Sequence, residues 1–148
     1  TNGIQSLDLL GRKVTQRGGA SLAALGQVIA ETVRAADELG GEGAELAGAL
    51  DASWQRLVAV TGGMFGSGDI PAVMANSHVY LEAFGHIVVA WLWLEQFVAA
   101  AGKDGDFCDG KRQATRYFFR FELPKTAPQL DLLESLDRTT LEMRDAWF

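Results

Sequence analysis

Two histidines and a glutamate are the first residues whose spacing invites a chemical reading. His78, Glu82 and His86 recur at intervals of four, so on a helix they share one stripe. Imidazole and carboxylate are groups that a divalent metal accepts. Carboxylate bundles that hold metal pairs, however, draw on Glu-x-x-His pairs from two helices plus further Glu from the others, and no Glu-x-x-His occurs in this chain. Hydrogen-bonded histidines in a core or an interface are therefore expected, and no metal. A second pattern is basic: Lys111, Arg112, Arg116 and Arg120, the three arginines at four-residue spacing along one helix edge. Such a row is either a solvated or ion-paired stripe facing an acidic protein, or an anion site where guanidinium forks meet acidic groups of another subunit or a nucleotide phosphate. Gly62, Gly63, Gly66 and Gly68 resemble a phosphate loop only in composition. A dinucleotide fingerprint needs a strand before it and a P-loop needs Lys followed by Ser or Thr, and neither is present. Cys108 stands among aspartates, without the cationic surroundings that make a thiol nucleophilic.

The element that must position these groups is the stretch Val79 to Val98, apolar on every side of a helix between Glu82 and Glu95. A helix without a wet face belongs in the middle of a fold. Its uncharged run is shorter than the roughly 20 residues that cross a bilayer, so a core helix is expected and no membrane span. Around it the chain reads as helices. Ile4, Leu7, Leu10 and Val14 draw an amphipathic helix over residues 1–14, ending before Gly18 and Gly19. Leu22, Leu25, Ile29, Val33, Ala36 and Leu39 face one way over 20–39, with Ser21 a possible cap and Gly40, Gly41 and Gly43 ending the helix. Leu46, Leu50, Ser53, Trp54, Leu57, Val60 and Thr61 trace the next, which runs out in the glycines after Thr61. Asp69 as N-cap and Pro71 in the first turn restart the chain.

After the polar loop 102–110, the Arg row keeps helical period through Phe119 to Leu123, although that segment also alternates like a strand. Pro124 stops the helix, and Thr126 with Gln129 three residues on makes a capping box for the last one. Leu130, Leu133, Leu136, Thr140, Leu141 and Met143 are its expected buried face, running to the chain's end. Trp147 and Phe148 are expected to pack on another helix or another subunit.

Composition narrows the function. A chain of 148 residues with 48% apolar content fits one domain with a real core. A net charge of −6 argues against nucleic acid as the main partner. One cysteine excludes an internal disulfide and suits a reducing, cytoplasmic setting. No export signal is visible at the start, and the chain begins at Thr1 without Met, as a piece of a longer protein would.

The opening TNGIQSLDLLGRK resembles the segment that follows the active-site glutamate in the acyl-CoA dehydrogenase family, where Y-E-G-T leads into a helix of this kind. In the branch carrying an extra C-terminal domain, T-N-G-I-Q-A-L-D is the usual continuation, and Ser6 here stands where that pattern has Ala. YLEAFGHIVVAWLWLEQ, KRQATRYFFRFELPKTAPQLDLL and LDRTTLEMRDAWF are similar to the C-terminal helical domain of the same branch, so the likeness covers most of the chain. The resemblance implies a parent enzyme in which a carboxylate removes the α-proton of an acyl-CoA while hydride passes from the β-carbon to FAD, giving a 2,3-enoyl-CoA. It places that carboxylate two residues before Thr1, outside this chain, together with the flavin domain. No catalytic residue is then expected here and no flavin on the fragment alone. Thr1, Asn2 and Gly3 are the positions it implies as cofactor-binding, a hydroxyl and backbone N–H groups facing diphosphate oxygens.

The expectation is thus an all-α chain, an antiparallel four-helix bundle preceded by a short N-terminal helix. Residues 1–17 read as the end of the family's central helical domain and 18–148 as the C-terminal bundle. Its partners would be the rest of the parent chain and its homo-oligomer, with acyl-CoA the parent's substrate. Composition and periodicity alone also allow a free-standing helical interaction module. Acyl-chain length, oligomer size and the choice between dehydrogenase and oxidase are not encoded in these positions.

Overall fold

The computed structural model describes residues 1–147, and among them every regular element is helical. Helix α1 spans Asn2–Asp8 and continues through a wider turn, Leu9–Lys13. It is followed by α2 (Ala20–Asp37), α3 (Gly41–Gly66), α4 (Ile70–Ala75), α5 (Ser77–Ala99), α6 (Asp106–Tyr117) and α7 (Thr126–Glu134). Helix α5 is the hub: α1, α2, α3, α6 and α7 all pack on it, while α2 lies on α3 and α3 on α7. The core is one cluster, with Leu10, Ile29, Leu50, Leu57, Ile87 and Leu94 among its buried members.

The central position expected for the apolar stretch holds, with one correction. Only Tyr80, Ala83, Ile87, Ala90, Leu94 and Phe97 form its fully buried face, together with Ser77. Val89 and Leu92 look outward. By length and composition α5 would also pass for a membrane-crossing helix, but its inner face is used up by the bundle.

The N-terminal helix also turns a different face inward than its apolar spacing suggests. Leu10 and Val14 are buried, but the third inward residue is Ser6, whereas Ile4 is 76% exposed and Leu7 half-exposed. Ser6 Oγ lies 3.1 Å from Ser77 Oγ and bonds the Gly3 carbonyl, so a small hydroxyl lets α1 sit close against the start of α5. The helix ends where Arg17, Gly18 and Gly19 all take positive φ (52°, 66° and 87°). Ser21 does not cap α2; Gly19 occupies that position, and Ser21 lines a small cleft instead.

Between α2 and α3, Gly40 and Gly41 supply the positive φ of the turn as expected. Gly43 does something else. It lies inside α3, and a Cβ there would come 2.5 Å from the Ala36 carbonyl oxygen, so its missing side chain is what allows the two helices to meet so tightly at the turn. Helix α3 also runs further than its glycines suggest, through Gly62 and Gly63 to Gly66. Asp69 caps α4, accepting from the Ala72 amide at 3.1 Å, with Pro71 in the first turn.

Pro124 bends the chain without stopping it. After Tyr117 the helix widens over Phe118–Glu122 and tightens over Leu123–Lys125, then enters α7 directly. The strand alternative for Phe119 to Leu123 is thereby excluded. The capping box does not form: Thr126 Oγ1 donates to the Leu123 carbonyl at 2.7 Å, and the Gln129 side chain reaches Glu82. The last helix stops at Glu134, because Leu136 takes a φ of 50° and Asn76 captures the Asp137 carbonyl at 2.8 Å. Leu130 and Leu133 are buried as expected, but Leu141 and Met143 lie on the irregular tail and are exposed. Trp147 is 63% exposed and stands over the Arg144 guanidinium rather than on another helix of the chain. Phe148 lies outside the described residues.

Candidate functional site

The residues implied as cofactor-binding sit at the tip of α1. Thr1, Asn2 and Gly3 are exposed. The Thr1 carbonyl accepts the first helical bond, from Gln5, and the Thr1 side chain makes no capping bond. The space over Gly3 is open, with nothing within 4 Å of a Cβ built there. The tip therefore offers a hydroxyl and first-turn N–H groups, which have no partner within a helix.

The histidine stripe comes apart on inspection. His78 Nε2 is 3.5 Å from Glu82 Oε1, on the exposed side of α5. His86 turns the other way: its Nδ1 lies 2.8 Å from the Glu82 backbone carbonyl, and its Nε2 lies 3.6 Å from Glu122 Oε2 across the helix junction. Glu82 also accepts from Gln129 Nε2 at 3.2 Å, and Glu122 from Lys125 at 2.7 Å. Lys125 is the main reason why the Glu122 carboxyl is held below the usual carboxylate range, with His86 a smaller contribution. The result is a polar seam tying α5 to the α6–α7 junction. Among the described residues, no three His, Cys, Asp or Glu side chains gather to hold a metal ion.

Two members of the arginine row have separate jobs. Arg112 closes the end of α5: its guanidinium donates to the Ala100 carbonyl at 2.6 Å and the Lys103 carbonyl at 3.1 Å, and pairs with Asp109. Ala100 is the C-cap of α5 and Lys103 lies in the loop beyond it, so this side chain ties that loop back to α6. Arg116 grips Glu42 at the start of α3 with two parallel bonds, at 2.6 and 2.8 Å. That fork holds the Glu42 carboxyl below its ordinary range against the opposing effect of partial burial. Arg120 is exposed. The ion-paired reading of the stripe describes Arg112 and Arg116. Lys111 lies over the rings of Trp93 and Phe107, 5.4 Å from each centroid.

Sequence reasoning missed a set of buried hydroxyls. Thr61 Oγ1 donates to the Leu57 carbonyl at 2.7 Å, which leaves its lone pairs for the Tyr80 hydroxyl at 2.9 Å. Burial pushes the Tyr80 phenol up to about 12. Trp91 Nε1 donates to Thr32 Oγ1 at 2.9 Å, tying α5 to α2, and Thr115 Oγ1 donates to the Trp93 carbonyl at 3.1 Å, tying α6 to α5. The available signal was the aromatic partners themselves: a buried Tyr or Trp needs a bond for its polar end.

What these residues define is an all-helical domain pinned by hydroxyls and ion pairs, its polar groups spent on holding helices together. Residues 22–144 match the family described as acetyl-CoA dehydrogenase C-terminal like, and the chain belongs to that family. No curated protein matches it.

Proposed function

We propose that the chain is the C-terminal helical part of a flavin-dependent acyl-CoA dehydrogenase, and that it serves the enzyme by packing and subunit assembly rather than by chemistry. The observation that carries this reading is the family match over residues 22–144. The match begins just after the left-handed run Arg17–Gly19, which supports the expected division between residues 1–17, the end of a preceding helical domain, and 18–148. Ile4 and Leu7, apolar and exposed on α1, suit a helix whose outer side is covered by the remainder of a parent chain.

In the parent, FAD would accept the hydride, and acyl-CoA would be the substrate. Thr1, Asn2 and Gly3 would contribute only donors at the edge of the cofactor, through the Thr1 hydroxyl and the first-turn amides. The polar groups further along the chain take no part in the reaction in this reading; they keep the helical body rigid.

Two measurements test it. The reading frame upstream of Thr1 should end in Tyr-Glu-Gly and encode a flavin domain. The protein carrying that upstream part should show flavin absorbance and oxidise an acyl-CoA, whereas the present chain alone should do neither. Acyl-CoA oxidation by the isolated chain, or an upstream frame without the glutamate, would overturn the proposal.

A further inference from the structure

The polar seam between α5 and the α6–α7 junction holds two bridges of different kinds. Gln129 Nε2 donates to Glu82 Oε2 at 3.2 Å, a bond that needs no change of protonation. The second bridge is His86 with Glu122, and its chemistry turns on which ring nitrogen carries hydrogen. His86 Nδ1 lies 2.8 Å from the Glu82 carbonyl oxygen. A carbonyl oxygen only accepts, so Nδ1 bears the hydrogen and a neutral ring leaves Nε2 as a bare lone pair. That lone pair faces Glu122 Oε2 at 3.6 Å. Two acceptors therefore meet, at a separation too long for a hydrogen bond. Lys125 supplies no donor across the seam: it binds the same Glu122 oxygen at 2.7 Å, from three residues further along the junction itself.

We propose that His86 is a proton-operated latch between α5 and the wide turn Phe118–Glu122. A second proton on the ring turns Nε2 into a donor, joins it to Glu122 and draws the turn onto α5. Loss of that proton sets two acceptors against each other and leaves Gln129 to bridge the seam. The groups facing the ring favour the closed form, since Glu82 and Glu122 are acidic, Lys125 is basic and Gln129 is neutral. Glu122 stays ionised, because Lys125 and to a smaller degree His86 hold its carboxyl below the ordinary range. The imidazole is then the partner that changes charge. The side chains of His86 and Glu122 are only 30% and 23% exposed, so water screens the contact in part.

The backbone at this place is suited to movement. Phe118–Glu122 is wound wide and Leu123–Lys125 tight, the kind of interruption that recurs at functional positions in helices. The His86 ring lies against Phe118, with centroids 6.2 Å apart and a tilt of 32°, so a shift of the ring reaches the first residue of the wide turn. His78 is a natural control: it faces Glu82 at 3.5 Å from the solvent side and is 57% exposed. The latch is internal to the chain, and it stands or falls independently of the parent enzyme proposed above.

The test uses the present chain. Imidazole nitrogen NMR shifts should show His86 in the Nδ1–H form at about pH 8, above the ordinary imidazole range. Urea unfolding of the wild type, His86→Ala, Glu122→Ala and the double variant gives the coupling between the two side chains. It should favour the folded state by about two- to fivefold at about pH 5.5, the scale of a partly exposed ion pair, and vanish or change sign at about pH 8. Glu122→Gln should reverse this dependence, since its amide donates to the bare Nε2 and not to the charged ring. His78→Ala should leave the coupling as it was. Should a variant fail to fold, the wild-type NMR spectrum still decides. A His86 ring in the Nε2–H form at the higher pH would overturn the proposal, as would a coupling that is equal at the two pH values or stronger at the higher one.

Discussion

At the scale of single residues, the pair of Tyr80 and Thr61 shows how direction decides cost. Thr61 has one hydroxyl proton and gives it to the Leu57 carbonyl, so the bond between the two side chains runs from Tyr80 to Thr61. Tyr80→Phe then removes a donor and leaves no group stranded, costing about 1 kcal/mol. Thr61→Val leaves a phenol buried without an acceptor and should cost about 1–3 kcal/mol. The double variant should recover part of that loss in urea unfolding, and strict additivity would show that the pair does not interact. The same residue sets an alkaline limit. Its folded proton is held up to about 12, above the ordinary phenol near 10, so its contribution is full below pH 10 and is lost as pH rises towards 12. Tyr80→Phe should flatten the fall in stability across that window.

Glu42 acts at the other end of the pH scale. Its folded carboxyl is depressed by Arg116, so it stabilises the fold above the ordinary carboxylate range and ceases to as pH falls through the depressed value. Both partners are partly exposed, which limits the effect to less than about 1 kcal/mol. Glu42→Gln should make acid unfolding less steep, and an unchanged acid limb would show that the fork is silent.

Among the elements, the most informative departures from sequence reasoning lie at helix ends. Asp69 was legible as a cap because an acceptor side chain before an apolar run with proline in the first turn is a local signal, and the bond is formed locally. Thr126 carried an equally good local signal, yet its hydroxyl bonds backwards to Leu123 and its would-be partner Gln129 is drawn to Glu82 on another helix. Nothing in a single segment reveals that competition. Asp69→Ala removes the cap and the ion pair with Arg138, and should lower stability by about 1 kcal/mol, with the loss read from thermal melts. Gly43→Ala should be worse, about 1–3 kcal/mol, because a Cβ would meet backbone at 2.5 Å. A neutral outcome there would mean that α2 and α3 separate freely at the turn.

For the whole molecule, stability rests on α5 and what surrounds it. Ile87 is fully buried at the hub, and Ile87→Ala should cost about 2–5 kcal/mol in denaturant unfolding. Trp147, exposed at the end of the tail, should be replaceable by Ala within about 0.5 kcal/mol; a larger loss would show that the tail packs against something in solution. The family match spans α2 to the tail, so the unit that the family shares is this helical body as a whole rather than any small cluster within it.

The all-helical class, the central place of the stretch after Val79, the starts of α2 and α4 and the resemblance that leads to the family were readable from residue types and spacing, whereas α6 begins at Asp106 inside the expected loop 102–110 and α3 outruns its expected end. Those properties come from local period and from burial along one chain direction, which a linear pattern records. The inward role of Ser6, the scattering of His78 and His86 to different partners, the division of the arginine row, and the end of α7 at Glu134 were decided by tertiary contacts. Each depends on which polar group meets which across two helices, and when several acceptors compete for one donor only the packed arrangement selects the winner.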